Sequence, residues 1–385
     1  MAGVAREIAG VVVLFRDSQR LVKGEPRDML AERSMVGCAL AVEEALRAKG
    51  YTAAIVPLRG EIEDLAREYP PTEWVVFNLV DGGEGRLFEE ARVAWALEAM
   101  GYCFTGARGD TLALTTHKGR TKALLAQHGI PTPPWRIFQH EDELQDDADV
   151  GLGYPVIVKP VAEDGSVGVE YPAVAHSLAE VRRRVAYIRE TYCQAALVEA
   201  FIAGREFNVA LWGEPPQLLP LAEIDFSAFA DPCQRIVSYA AKWVEGSFEY
   251  QHTPAVFCSS LEDELRGAIS SIAVAVWEII GCQGYARVDM RVSPEGMPYV
   301  IEVNCNPDIA PDAGFFRAAA QAGMSYADMV EHIVDIALQE RHLYDRASDR
   351  CRRSKYTAHH PAGRRLYRRG GPVRPGALVS VPERG

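Results

Sequence analysis

The sequence predicts an α/β and α+β fold, in which an N-terminal doubly wound parallel α/β domain precedes a mixed α+β body. Strand and helix patterns alternate at the start of the chain, as is typical of parallel sheets. Further along, short glycine-containing turns join neighbouring strand patterns, which indicates antiparallel pairing. The length of 385 residues also exceeds what one simple core accommodates.

The N-terminal domain is expected to alternate strictly between strands and helices. No GxGxxG motif follows its first strand, so a dinucleotide fold of the dehydrogenase type is not supported. The predicted strands cover 8–15, 52–58, 74–80 and 102–105, and the predicted helices cover 36–50, 61–68 and 88–100.

The body is expected to begin with a helix at 112–129, which Gly129 and Pro131 end. Strands are predicted at 154–160, 196–202, 206–212 and 218–226, helices at 177–191, 261–280 and 326–341, and a hairpin at 285–304. The expected organisation is therefore a Rossmann-like domain at 1–107, a mixed body at 108–341 and a basic tail at 342–385.

Composition places the chain among ordinary globular proteins, with 48% hydrophobic and 24% charged residues. It shows no apolar run of membrane-spanning length and no secretory signal, and none of the eight cysteines forms a CxxC pair, so we expect a reduced, cytoplasmic protein without a zinc site. From Arg341 onward the chain carries twelve Lys and Arg against three Asp and Glu. This tail is predicted to be disordered, the alternative being a weak anchor for nucleic acid or for the acidic body.

The predicted hairpin carries polar side chains with period two. Arg287, Asp289 and Arg291 share one face of the first strand, and Glu302 and Asn304 share a face of the second, while Val303 and Ile301 are expected to point away. If residues 294–297 form the loop, Ser293 pairs with Pro298. Asp289 then lies opposite Glu302, and Arg287 lies opposite Asn304.

Two carboxylates that face each other across strands repel, so something must offset the repulsion. A shared proton, Arg287 or a divalent cation would each do so, and carboxylate and amide oxygens are ligands that Mg²⁺ accepts, usually together with phosphate. An amphipathic hairpin with one solvated, salt-bridged face is the alternative.

A second polar feature follows the strand at 154–160. Lys159 ends this strand, and Gly165, Ser166, Val167 and Gly168 follow in a loop. Backbone N–H groups in such a loop can bind an anion, and lysine adds a point charge for phosphate. The alternative is a plain surface turn. The sequence GxxxxGK[ST] is absent, so this is not a P-loop.

Taken together, these motifs resemble the ATP-grasp superfamily and, within it, the D-alanine–D-alanine ligase family, over about residues 75–341. The resemblance rests on five ordered motifs, none of which is specific alone: Phe77-Asn-Leu-Val-Asp-Gly-Gly-Glu, Pro155-Val-Ile-Val-Lys-Pro with Glu163-Asp-Gly-Ser-Val-Gly, Val198-Glu with Gly204-Arg-Glu-Phe, Ala286-Arg-Val-Asp, and Glu302-Val-Asn-Cys-Asn-Pro. It implies that 108–200 and 201–341 are the small and large ATP-grasp subdomains, with ATP held between them.

The resemblance also implies roles for individual residues. Arg287, Lys242 and Ser166 would be catalytic, with Arg287 stabilising the transition state and Lys242 near the γ-phosphate. ATP would be bound by Lys118 and Lys159 at its phosphates, by the loop Gly165, Ser166, Val167 and Gly168, by Glu199, Ala200 and Ile202 at adenine, and by Glu206 at ribose. Asp289, Glu302 and Asn304 would bind two Mg²⁺ ions, for which Mn²⁺ could substitute.

The implied activity is ADP-forming ligation of a carboxylate to an amine through an acyl phosphate. D-alanine–D-alanine ligase is the default member, and an amide or dipeptide ligase of specialised metabolism is the second. A non-catalytic ATP-binding sensor or scaffold is the rival of another class. The expected partners are small amino acid-like carboxylates and amines, with neither membrane nor nucleic acid, and a homodimer stays open.

The substrate half departs from the family pattern. Asp308 follows Asn306-Pro307 where the family usually has glycine, and the run to Gly314 has no hydroxyl to hold an acceptor carboxylate. The motif for the first amino acid's amine is not recognisable near the first strand. We expect Asp308 to disfavour an acceptor carboxylate by like-charge repulsion.

Overall fold

The computed structural model describes residues 8–18, 20–82, 86–257 and 261–357, with the side chains of Glu32 and of 342–357 left out. Met1–Arg341 is one compact unit, and His342–Gly385 is a second. The predicted disorder of 358–385 and the final Gly83-Glu84 of the first motif lie outside the described residues. The proposed division at 107/108 and 200/201 stays a prediction.

The first sheet is parallel with strand order β2-β1-β3-β4, as the alternation predicts. Its first helix starts seven residues earlier than expected, at Met29 rather than residue 36. The strands are β1 Gly10–Arg16, β2 Ala53–Leu58, β3 Trp74–Asn78 and β4 Cys103–Phe104, and the helices are α1 Met29–Ala48, α2 Leu65–Glu68 and α3 Glu89–Met100.

The helix predicted at 112–129 is in fact two helices, α4 Gly109–Thr116 and α5 Lys118–Gln127. The break lies at His117, whose backbone is extended and whose ring accepts a hydrogen bond from Arg120 N. Lys118 N then donates to Val161 O at 3.0 Å, which ties the start of α5 to the second sheet. The break therefore places Lys118 at a helix start, where its side chain contacts Glu163 O and Asp164 in the loop that follows residue 160.

The second sheet has the order β5-β8-β6-β7 and is antiparallel throughout. Helix α7 covers it, with Val181, Val185 and Ile188 fully or almost fully buried in its core. Its strands are β5 Trp135–Phe138, β6 Val156–Pro160, β7 Val174–Ala175 and β8 Ala196–Ala200, and its helices are α6 Asp147–Val150 and α7 Leu178–Tyr192.

The third sheet is antiparallel with the order β12-β11-β9-β13-β14, and β10 pairs with β9. Because Val209, Val288 and Met290 bury one face of it against α10, the alternate residues turn to the opposite face. The strand predicted at 218–226 is two short strands, β10 and β11. The elements are β9 Arg205–Trp212, β10 Gln217–Leu218, β11 Ala222–Ile224, α8 Tyr239–Trp243, α9 Phe248–Gln251, β12 Ala255–Phe257, α10 Asp263–Ile280, β13 Tyr285–Val292 and β14 Pro298–Asn304.

The hairpin β13–β14 has the predicted functional pairing but not the predicted loop. Val292, not Ser293, pairs with Pro298, so the four-residue loop is wrong. The register then shifts between Asp289 and Met290, where Ile301 is the extra residue of a β-bulge. This bulge restores the predicted pairs Asp289–Glu302 and Arg287–Asn304. It also brings Ile301 to the cavity wall, contrary to the expectation that it points away.

Two helices complete the described chain, α11 Gly314–Gln321 and α12 Tyr326–Thr357. The prediction that the last helix ends at Arg341 is wrong, because α12 continues for sixteen residues more. Within the described part of the chain, no helix combines the length and the apolar character needed to cross a membrane.

Candidate active site

One cavity of about 1460 Å³ brings together nearly all the residues singled out in the sequence. The second and third sheets, α5 and α8 contribute to its wall. Its lining includes Lys118, Lys159, Gly165, Ser166, Val167, Glu199, Ala200, Ile202, Glu206, Lys242, Arg287, Asp289, Glu302 and Asn304. Gly168 is the exception: it is buried beside Pro160 and Tyr192, in a left-handed conformation (φ +73°).

The hairpin presents a bidentate ion pair to this cavity. Arg287 Nε and Nη2 donate to Asp289 Oδ1 and Oδ2 at 2.7 and 2.8 Å. Asn208, on the neighbouring strand β9, donates to Asp289 Oδ1 at 2.8 Å. Although burial lowers the pKa of Arg287, Asp289 and its hydrogen bonds raise it overall. Arg287 therefore stays cationic at a buried position.

Glu302, across the hairpin from Asp289, is paired with a lysine. Lys118 Nζ lies 2.7 Å from Glu302 Oε1 and 3.0 Å from Asp164 Oδ1. Burial raises the pKa of Glu302, but the ammonium groups of Lys118 and Lys159 outweigh it and hold that pKa below its usual range. Glu302 is therefore an anion in a partly desolvated cavity, as a metal ligand must be.

Glu199 is held between two lysines. Its Oε1 lies 2.6 Å from Lys159 Nζ and its Oε2 lies 2.6 Å from Lys122 Nζ. Both ammonium groups hold the pKa of Glu199 below normal against the effect of burial. The adenine-side role implied for Glu199 stays a prediction, and the structure adds an electrostatic link to Lys159.

The loop of Gly165, Ser166, Val167 and Gly168, the glycine loop, is held at its first two residues. Ser166 adopts a left-handed backbone (φ +60°), which is uncommon outside glycine, and its hydroxyl donates to Val237 O at 2.7 Å. Trp243, next to Lys242, donates from Nε1 to Gly165 O at 2.8 Å. The loop is thus held against the segment that carries Lys242. The catalytic role implied for Ser166 stays a prediction.

Glu206 also lines the cavity and is buried. Burial raises the pKa of its carboxyl, and Arg291, 3.8 Å away, opposes this rise. Arg291 is itself buried, donates to Gly204 O and Arg235 O, and lies over the ring of Phe201. The fixed guanidinium of Arg291 therefore lies beside the carboxylate that is predicted to bind ribose.

The donor set suits a hard cation. Asp289 and Glu302 supply carboxylates and Asn304 supplies an amide oxygen, all on the face that lines the cavity. Among the described residues, no three His, Cys, Asp or Glu side chains form a ready-made metal centre. Three oxygen-donor residues that require a phosphate to complete the coordination fit Mg²⁺ better than a closed structural site.

Sequence reasoning missed three residues that contact the predicted ones: Lys122, Asn208 and Trp243. Lys122 follows Lys118 by one helical turn, and Asn208 follows Glu206 by one strand period, so each spacing carried a usable signal. Trp243 could not be found this way, because its contact with the glycine loop spans 78 residues.

We expect deprotonation of Lys242 to set the alkaline side of the pH–activity profile. Burial lowers the pKa of its ammonium group, and the guanidinium of Arg287 lowers it further. The charge is therefore lost at a lower pH than for an exposed lysine, and kcat/KM for ATP should fall as pH rises through that value. In Lys242→Arg, which keeps its charge, the alkaline side should move to higher pH. An unmoved alkaline side would assign it to another group.

Comparison with known proteins gives consistent matches. The family model described as D-ala D-ala ligase C-terminus matches residues 124–335. A protein of Sinorhizobium fredii, "Uncharacterized protein y4sG", is 33% identical over 72% of this chain and 80% of its own. The D-alanine–D-alanine ligase of Moorella thermoacetica is 31% identical over 78% and 93%. The fold is similar to D-alanine–D-alanine ligase from Bacillus anthracis complexed with ATP (TM-score 0.67, 21% identity, 87% of this chain and 99% of that one).

Proposed function

Because this chain belongs to the D-alanine–D-alanine ligase family of ATP-grasp enzymes, we propose that it joins an amino acid-like carboxylate to an amine with conversion of ATP to ADP and phosphate. The family, the fold class and the enzyme class expected from the sequence are confirmed by the comparisons. The proposal concerns the substrates and the residues that act on them. One observation carries it: the hairpin aligns Asp289 with Glu302 on the face of a cavity that Lys118, Lys159 and Lys242 also line.

In this proposal a substrate carboxylate oxygen attacks the γ-phosphorus of ATP, and ADP leaves. The amine nitrogen then attacks the acyl carbon, phosphate leaves, and the nitrogen loses a proton. Lys118, Lys159 and Lys242 bind phosphate oxygens, and Arg287 neutralises the charge that develops on the transferred group. The glycine loop, held by Ser166 and Trp243, keeps water from the acyl phosphate. Asp289, Glu302 and Asn304 would hold Mg²⁺, which supplies charge neutralisation between phosphates when bound.

D-alanine with D-alanine is the default substrate pair, and the loop after Asn304 favours a second candidate, an amide or dipeptide ligase with another acceptor. Purified protein should be incubated with MgATP and a panel of D- and L-amino acids, their amides and simple amines. A productive pair should give ADP, phosphate and amide in equal amounts. Tight ATP binding without phosphate release for any pair would support a sensor, and phosphate release without amide would contradict ligation.

We expect Asp308 to select against acceptors that carry a free carboxylate. Asp308 lines the cavity and accepts from Ala310 N at 2.9 Å. In Asp308→Asn, which can keep that hydrogen bond, the ratio of kcat/KM for an amino acid to that for its amide should rise about tenfold. Asp225→Asn is the matched control, since Asp225 makes the same turn contact with Ser227 N away from the cavity. An unchanged ratio in Asp308→Asn would refute this assignment.

A further inference from the structure

Helix α5 carries two buried lysines one turn apart, and only the first has an implied role. Lys118 is 6% exposed and Lys122 is 2% exposed. A buried ammonium group is costly unless it is paired, so each must have a partner. Lys118 contacts Glu302, and Lys122 contacts Glu199. The helix therefore sets its two lysines against two glutamates of the site, Glu199, which is buried, and Glu302, which is partly buried.

Lys122 is separated from the main cavity by the residues that line it. Lys159 and Glu199 line that cavity, whereas Lys122 is not among its described lining residues and lies behind the Glu199 carboxylate. Its ammonium group also donates to Thr132 Oγ1 at 2.8 Å, and Thr132 donates to Val300 O at 2.9 Å. Lys122 is thus anchored to β14, the strand that carries Glu302.

The charges of this group decide what Lys159 can bind. A carboxylate paired with one lysine forms a neutral unit, whose attraction for an anion is weak. With two lysines on one carboxylate, the unit keeps one positive charge, and the interaction with a phosphate in a low-dielectric cleft stays strong. Each oxygen of Glu199 lies 2.6 Å from one lysine nitrogen, so both ammonium groups are paired with the same carboxylate.

We propose that Lys122 is a positioning residue of the nucleotide-phosphate site: it takes up the charge of Glu199 and thereby leaves Lys159 available to phosphate. This inference rests on the proposed function, since it requires that the cavity bind ATP. It assigns Lys122 to phosphate affinity and not to the acyl or amine substrate.

The test compares binding of ATP and of adenosine, which lacks phosphates, by calorimetry. In Lys122→Met, the ratio of the adenosine Kd to the ATP Kd should fall about tenfold, because Glu199 then neutralises Lys159. The double variant Lys122→Met/Glu199→Gln should restore the ratio to within about threefold, since it removes both charges of the inner pair. The ratio cancels any effect of Glu199→Gln on adenine. Lys49→Met, which removes a lysine ion-paired with Asp328 on the surface, is the control and should leave it unchanged.

The outcomes separate the two proposals. The inference would be overturned by an equal loss of ATP and adenosine affinity in Lys122→Met, or by the absence of rescue by Glu199→Gln. Either result would give Lys122 a structural role only. Neither would affect the proposal that the parent protein binds ATP. If Lys122→Met does not fold, the double variant decides. A ratio of the adenosine Kd to the ATP Kd below one-tenth of the parent's would then overturn the inference. Failure of the parent protein to bind MgATP would overturn the proposed function and this inference together.

Discussion

Replacement of Glu302 by glutamine should lower kcat/KM for ligation by at least about 10³-fold, because metal-borne charge neutralisation contributes several kcal/mol to such transition states. The side chain keeps its size and loses its charge. Lys118 retains Asp164 at 3.0 Å as a partner, so the fold should tolerate the change. The diagnostic measurement is a Mg²⁺ titration of ADP release, in which the half-saturating concentration should rise together with the loss of rate.

Glu223→Gln provides the matched control for this variant. Glu223 lies on β11 of the same sheet and is paired with Arg205 in a bidentate contact. Glu223 is not among the described residues that line the cavity. Because ion pairs with a solvent-exposed partner contribute little, we expect the rate and the half-saturating Mg²⁺ concentration of Glu223→Gln to stay within about threefold of the parent's values. Should Glu302→Gln retain more than a tenth of the parental rate at high Mg²⁺, the carboxylate is not a metal ligand.

The hairpin shows how much of the site could be predicted from sequence. Period-two alternation correctly placed its alternating polar side chains on the cavity face, whereas Ile301 reaches the cavity too because of the bulge. The loop length was wrong by one residue, and the bulge at Ile301 corrected it. A bulge leaves no signal in the composition and could not be predicted. The pairing of Asp289 with Glu302 was nevertheless correct, because the loop error and the bulge each shift the register by one residue in opposite directions.

The break at His117 and the partners of the lysine pair on α5 lay beyond what local patterns could predict. Thr116, His117 and Gly119 are weak helix formers but do not by themselves end a helix. The break is held by a hydrogen bond from Lys118 N to Val161 O, 43 residues away. Lys122 looks like a solvated lysine until Glu199 is placed against it. Long-range partners decide both cases, whereas propensity and period report only neighbours along the chain.

Replacement of Arg287 by methionine should lower kcat by about 10³-fold or more, since an arginine that stabilises a phosphoryl-transfer transition state contributes an effect of this size. The guanidinium lines the cavity, and its Nε lies 2.7 Å from Asp289 Oδ1. Its removal should therefore act on the reaction in the cavity. Arg205→Met is the matched control. Arg205 makes an equally bidentate contact with Glu223, with 45% of its side chain exposed, and its removal should lower kcat by less than about threefold.

Because Arg287 is assigned to the transition state, KM for ATP should rise far less than kcat falls. A rise in KM with kcat preserved would instead make Arg287 a ground-state binding residue, and the ligase mechanism would then need another group to neutralise the transferred phosphoryl.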